Sequence, residues 1–205
     1  MRGKTHVSCA VTAAFLFLRP VDLTSCICTA AGTALGGLLC DLDTEEPAFR
    51  SALLSGPLLV LPFLYAFLFL DFRLDWGICR CLQERFDSAC LAGVLLFVFG
   101  CAYGVSTSHR TFMHSLTAGL CFTFSLSLIF APMALPFLIG FLSHLLLDLP
   151  GFAGLQLFYP AEMKFCLHLC SSNGKADRIL GGLFSLTARV LTAGFLAGSL
   201  LRLVF

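Results

Sequence analysis

Ser88 to Thr107, SACLAGVLLFVFGCAYGVST, runs for 20 residues without a charge. About 20 apolar residues make a helix long enough to cross the hydrocarbon core of a bilayer. Ser51 to Leu70, SALLSGPLLVLPFLYAFLFL, is equally free of charge. Two such windows decide the class, an all-α polytopic integral membrane protein. The composition agrees: 58% of the 205 residues are hydrophobic and only 12% are charged, against about 45–50% apolar in soluble domains. A net charge of +1 gives no electrostatic footprint for nucleic acid. The lipid bilayer is the expected partner.

Working outward, each apolar run reads as a helix. The result is six to seven hydrophobic helices, short hairpins included, in a single membrane domain over 1–205. A short helix at about 7–18 turns at Arg19-Pro20 into a second at about 23–40. A polar loop, DLDTEEPAFR (41–50), leads to the window 51–70. A mixed-charge loop, DFRLDWGICRCLQERFD (71–87), leads to 88–107. Ser115 to Ser143 is uncharged for 29 residues and contains Pro132 and Pro136. Proline ends or kinks a helix, so two shorter helices turning near Pro132 are expected. A long loop covers 149–178, and the last helix covers about 179–204 with Arg189 inside it.

The 11 cysteines do not read as a disulfide scaffold. Cys26, Cys28, Cys90, Cys101 and Cys121 sit inside apolar runs, where Cys behaves as a small hydrophobe. The C-x-C of Cys79 and Cys81 and the C-x-x-x-C of Cys166 and Cys170 match no strong zinc pattern. Arg2 and Lys4 ahead of an apolar run imitate a signal peptide. No A-x-A site follows, however, and Arg19-Pro20-Val21-Asp22 interrupts the run.

Against this background the polar clusters stand out. HRTFMHS (109–115) interrupts two of the most apolar segments, in a loop at about 108–114. His6 precedes the first helix. If helices one and two form a hairpin, Asp41 and Asp43 emerge on the side of His6. Two further crossings return His109, Arg110 and His114 to that side, and the proline hairpin brings His144 and Asp148 there as well. All stations thus reach one membrane face. That face carries Arg2, Lys4, Arg50, Arg110, Lys164, Lys175 and Arg178, against Arg19, Arg73, Arg80, Arg85 and Arg202 on the other. The positive-inside rule then points it to the cytosol.

Ionisable residues at a membrane edge are costly and usually functional. His6, Asp41, Asp43, His109, His114, His144 and Asp148 are imidazoles and carboxylates with no thiolate among them. Such a set suits zinc, manganese or iron, with zinc or manganese the expected divalent ion. His144 and Asp148 in HLLLD are four residues apart, so they share a helix face. Both can bind metal, or the Asp can orient the His. Asp41 and Asp43 offer two carboxylates, one able to bridge two ions. Seven N/O groups exceed what one tetrahedral zinc needs. Two metals, or one metal with acid/base helpers such as Asp43, would use them. A metal in such a site generates a nucleophile from water near neutral pH. Arg110 is permanently charged and can hold a phosphate or a developing oxyanion.

These residues resemble those of the YdjM family, inner-membrane-associated metal-dependent hydrolases, from about residue 3 to 165. The carriers are THVSCA with His6, GGLLCDLDT with Asp41 and Asp43, HRTFMHS with His109, Arg110, His114 and Ser115, and GFLSHLLLDLPGFAGLQLFYP with His144 and Asp148. HR-x-x-x-HS followed by G-x-x-SH-x-x-x-D is specific in combination. Thr44 stands where the family often has a His, Thr111 and Met113 where it has Gly and Thr, and Gly151 where a Thr is common. The resemblance implies a location in the bacterial inner (cytoplasmic) membrane and a hydrolase activity without naming a substrate.

The expected activity is metal-dependent hydrolysis of a membrane-associated ester or phosphoester. Two alternatives use the same residues. One is a transporter or proton- or ion-translocating protein. The other is a non-catalytic protein retaining a structural metal. Ser115 is expected to cap the helix that follows it.

Overall fold

The computed structural model describes residues 3–43, 87–152, 154–169 and 174–204. They form five α-helices and no strand: α1 (Gly3–Leu18), α2 (Leu23–Leu39), α3 (Ser88–Ser106), α4 (Leu116–Asp148) and α5 (Lys175–Val204). Two short 3-10 turns, Cys40–Asp43 and Phe112–His114, follow α2 and precede α4. The expectation of six to seven helices counted the window 51–70, which lies outside the described residues, and counted Ser115–Ser143 as two helices.

The α1–α2 hairpin is set by local chemistry. Arg19 takes a left-handed φ of 45°, and Pro20 cannot continue α1. Asp22 then caps α2, its Oδ1 accepting from the Ser25 backbone N–H at 2.8 Å while Ser25 Oγ accepts from Asp22 N at 3.2 Å. This reciprocal pair satisfies two of the donors a helix start leaves open.

The 33 residues of α4 are not one rod. Phe130 has φ −156° and ψ 89°, an extended conformation that breaks the helix. Two residues on, Pro132 offers no N–H, and its ring crowds the preceding turn. The expected turn therefore occurs, slightly ahead of the proline. The two arms fold back on each other: the Phe122 and Phe137 rings lie 6.5 Å apart, and Gly119 rests against the Phe141 ring.

Close backbone contact joins the second arm of α4 to α2. A Cβ at Gly36 would strike the Phe137 carbonyl, and one at Gly140 would strike the Thr33 carbonyl. Only glycine permits that approach, the small-residue packing that membrane helices favour. On the other side α3 packs on the first arm, with Ser125 Oγ donating to the Gly93 carbonyl at 2.6 Å. α5 runs alongside α1. Thr12 Oγ1 donates to the Phe184 carbonyl at 3.3 Å, and the Phe15 and Phe195 rings meet at 5.5 Å. Phe15, Met113, Phe122, Phe137 and Phe141 are fully buried between these layers.

The outside is apolar as well. Phe17, Leu95, Phe99, Leu120, Leu146 and Val190 are all exposed. Four helical segments, Leu23–Asp43, Ser88–Ser106, Leu116–Asp148 and Arg178–Arg202, are long and apolar enough to cross a membrane, while the helix at Thr5–Leu18 is shorter. No disulfide forms among the described residues, and Cys26, Cys28, Cys40 and Cys90 are buried as packing residues. Cys121, expected with them, is instead exposed on the outside of α4. Cys79, Cys81 and Cys170 lie outside the described residues.

Residues 149–152 and 154–169 form a strap across the end of the bundle that holds His6 and Asp148. Leu155 and Phe165 pair in an isolated antiparallel bridge. Leu116 N donates to Leu157 O at 2.9 Å, Gln156 N to Arg110 O at 3.2 Å, and Leu167 N to Leu149 O at 3.0 Å. The strap's backbone thus ties the start and the end of α4 together.

Candidate metal centre

Each polar station comes from the end of a helix, and all lie at the same end of the bundle. His6 sits in the first turns of α1. Asp41 and Asp43 sit in the 3-10 turn after α2, His109 and Arg110 in the turn after α3, His114 just before α4, and His144 and Asp148 in its last turns. The hairpin at Arg19 and the fold at Phe130 bring them together, because each returns the chain to the end from which it came.

At the centre lie four ligand-type atoms. His144 Nε2 is 3.5 Å from Asp41 Oδ1 and 3.5 Å from Asp148 Oδ2; His114 Nε2 is 3.9 Å and 3.7 Å from the same two oxygens. These separations are long for hydrogen bonds. They approach the spacing of about 3.3–3.6 Å between ligands that stand about 2.0–2.2 Å from a shared tetrahedral ion. Asp148 uses its other oxygen toward α1, with Oδ1 3.3 Å from His6 Nε2. The His6 and His144 rings stack at 3.9 Å.

The donor chemistry fits a cation. The His6, His114 and His144 side chains are no more than 1% exposed. His144 Nδ1 donates to the Gly37 carbonyl at 2.8 Å, which leaves Nε2 as the lone-pair nitrogen facing two carboxylates. Holding a ring nitrogen on a backbone carbonyl is how metal-binding histidines are oriented. His144 Nε2 and both nitrogens of His114 are buried and make no hydrogen bond. A buried polar atom in that state is costly, and a positive ion shared with the carboxylates removes the cost. Burial pushes the His114 imidazole below its ordinary pKa, with His144 adding to the effect, although Asp43 and Asp148 oppose it. That favours the neutral, ligating form.

A second group surrounds Asp43, whose side chain is buried. Its Oδ1 lies 2.7 Å from His109 Nδ1, its Oδ2 accepts from the Arg110 backbone N–H at 3.3 Å, and Oδ2 lies 3.7 Å from His114 Nδ1. In each of three sets the ligand atoms lie within 4.8 Å of one another: His6, His144 and Asp148; Asp41, His114 and His144; Asp43, His109 and His114. The centre is closed on the histidine side. It opens past His109 (39% exposed), Asp41 (26%) and Arg110 (20%).

Arg110 bends the rim. It takes a left-handed φ of 66°, rare for a residue with a side chain, and its Nη2 lies 3.9 Å from Asp148 Oδ2. A Cβ at Gly151 would begin 3.0 Å from the Asp148 carbonyl oxygen, so glycine eases a tight backbone approach at the end of α4, beside the Arg110 guanidinium. Thr111, where the resemblance has a glycine, has φ −105° and ψ −105°, so its φ is negative but the pair is neither helical nor extended. Met113 is fully buried against Gly104.

Nothing in the sequence marked the Gly37 carbonyl as a partner of His144; the only signal was its place one turn ahead of the Asp41 pair. Ser115 does cap α4, Oγ accepting from the Ala118 N–H at 3.1 Å. Ser115→Ala is expected to lower stability by about 1 kcal/mol, read as a lower melting temperature in detergent. An unchanged melting curve would mean that the strap alone holds this turn.

A helical membrane bundle with a buried His/Asp centre at one end defines the class. A family model described as the YdjM inner membrane protein matches residues 1–205, and the chain belongs to that family. No curated protein and no solved structure matches it. The protein is an integral protein of the inner membrane, and its buried His/Asp groups can hold a metal ion.

Proposed function

We propose that the protein is a membrane-bound metal-dependent hydrolase acting on a membrane-associated ester or phosphoester. One observation carries this reading. His114 Nε2, His144 Nε2, Asp41 Oδ1 and Asp148 Oδ2 converge with metal-ligand spacing around ring nitrogens that have no hydrogen-bond partner. These four residues, with His6 beside Asp148, would hold a divalent ion, and the N/O donors favour zinc or manganese. Such an ion, when bound, polarises a substrate oxygen and makes water nucleophilic at neutral pH.

The chain's own groups supply the rest. Asp43 orients His109 through the 2.7 Å contact, which leaves the other ring nitrogen at the exposed rim as the acid/base group for the leaving oxygen. Arg110 stands at the same rim and holds the substrate anion. The buried wall of His6, His114 and His144 keeps bulk water from the inner side. A centre at the end of the bundle is reached from the lipid surface, which supports an amphiphilic substrate. Transporter sites lie near the bilayer midplane, so the same placement speaks against translocation.

Detergent-purified protein loaded with zinc or manganese is expected to hydrolyse a chromogenic phosphodiester or ester presented in micelles. His109→Ala should abolish most turnover while metal content stays constant. Arg110→Gln should raise KM for a phosphoester by roughly 10- to 100-fold, the worth of a hydrogen bond to a charged group, and change a neutral ester little. Bound metal with no turnover on either substrate would leave only the structural reading.

A further inference from the structure

The opposite end of the bundle carries a groove that the metal centre does not use. It holds about 630 Å³ and runs between the α1–α2 turn and α5. Its wall is apolar, with Val21, Val190, Leu191 and Phe195, and two guanidiniums stand in it, Arg19 and Arg202. Gly194 and Gly198 lie along it with open space around them; a Cβ at either would meet nothing within 4 Å.

The two arginines lie at the ends of apolar helices. Arg202 ends the apolar segment Arg178–Arg202, and Arg19 lies just after the apolar helix Thr5–Leu18. Arg202 Nη1 donates to the Val21 carbonyl at 3.2 Å, and Arg19 Nε donates weakly to Leu16 O at 3.4 Å, so each is steered toward the turn. Neither forms an ion pair among the described residues. No carboxylate lines the groove, and nearby Asp22 is occupied in capping α2. Two positive charges at an interface, above an apolar trough, match an anionic headgroup above an acyl chain.

We propose that this groove binds one anionic phospholipid, with its phosphate between Arg19 and Arg202 and an acyl chain along Gly194 and Gly198. A second copy of this chain is the competing occupant, because glycines four apart on an apolar helix can pair. A two-fold axis through this face, however, would set the arginines of both copies against each other. The lipid instead neutralises them.

The test is native mass spectrometry of the full chain, purified in mild detergent and offered phosphatidylglycerol or phosphatidylcholine. One phosphatidylglycerol is expected to remain bound, and phosphatidylcholine should be lost. Arg19→Gln with Arg202→Gln should weaken phosphatidylglycerol retention by roughly thirtyfold, about five- to sixfold per arginine. Gly194→Leu, whose Cβ meets nothing within 4 Å, should weaken retention of phosphatidylglycerol without touching either charge. Metal content should stay constant in all of these variants, which separates this site from the centre at the other end. Equal retention of the two lipids, no effect of the arginine pair, or a stable dimer that excludes lipid would each overturn the proposal.

Discussion

Asp148→Asn is expected to strip the centre of its metal. Asp148 is the common neighbour: one oxygen lies 3.3 Å from His6 Nε2, and the other lies 3.5 Å and 3.7 Å from His144 and His114. Asparagine keeps the shape but removes the charge. Its amide N–H groups can also donate to the bare ring nitrogens, so the pocket satisfies itself without an ion. Affinity should fall by at least roughly 100-fold, the upper end of what losing even an outer partner of a ligand costs. Plasma mass spectrometry of the purified protein reads the result directly. A second readout is thermal. Saturating metal at about 100 times Kd adds about 2.7 kcal/mol to the native state, so chelation should lower the melting temperature of the parent protein and leave the variant unmoved. Unchanged metal content in Asp148→Asn would remove the basis for the centre.

The second large effect comes from packing. Gly140→Leu should unfold the α2–α4 interface, because a Cβ there strikes the Thr33 carbonyl, backbone that cannot rotate away. Overpacking in a close-packed interior costs about 1–3 kcal/mol where side chains can adjust, and here they cannot, so a larger loss is expected. A thiol-reactive dye suits the measurement once accessible thiols such as Cys121 have reacted, since Cys26, Cys28, Cys40 and Cys90 are buried and label only on unfolding. Gly182→Leu is the control: a Cβ there meets nothing within 4 Å, and the melting curve should not fall. The Gly140 substitution should also reduce metal content. His144 lies one turn further along α4, and its Nδ1 bond to the Gly37 carbonyl depends on the separation of these two helices.

Much of the bundle is legible in the primary structure because its strongest signals are local. An uncharged run predicts α3 within a residue of its ends, and Pro132 predicts a break in α4. The convergence of His6, Asp41, Asp43, His109, His114, His144 and Asp148 follows from the parity of turns alone, without knowledge of any contact. What stays hidden depends on distant partners. Phe130, not a proline, carries the broken dihedrals, because the ring's demands fall on residues before it. The left-handed backbone falls on Arg110 and not on Thr111, and nothing in the residue type announces that. The segment after α4 looks like a long loop, yet backbone groups of Leu155, Gln156, Leu157, Phe165 and Leu167 pair with Leu116, Arg110, Leu149 and one another, pairings with no periodicity to reveal them. The groove at Arg19 and Arg202 is equally silent, since those residues are 183 positions apart in the chain and line one groove only because α5 runs beside α1.

The fold at Phe130 also governs how the chain is counted through the membrane. Its first arm, 116–129, is about 21 Å long at 1.5 Å per residue, short of the roughly 30 Å of hydrocarbon. Because the second arm returns beside it, the whole of α4 adds an even number of crossings, or none. His114 and Asp148 therefore share a compartment, although a stretch as apolar as α3 lies between them. A hydropathy count that scored α4 as one crossing would invert everything downstream, sending the strap and the start of α5 to the wrong side and tearing the His/Asp cluster in two. Reporter tags placed at residues 108 and 163 should accordingly report the same side of the membrane.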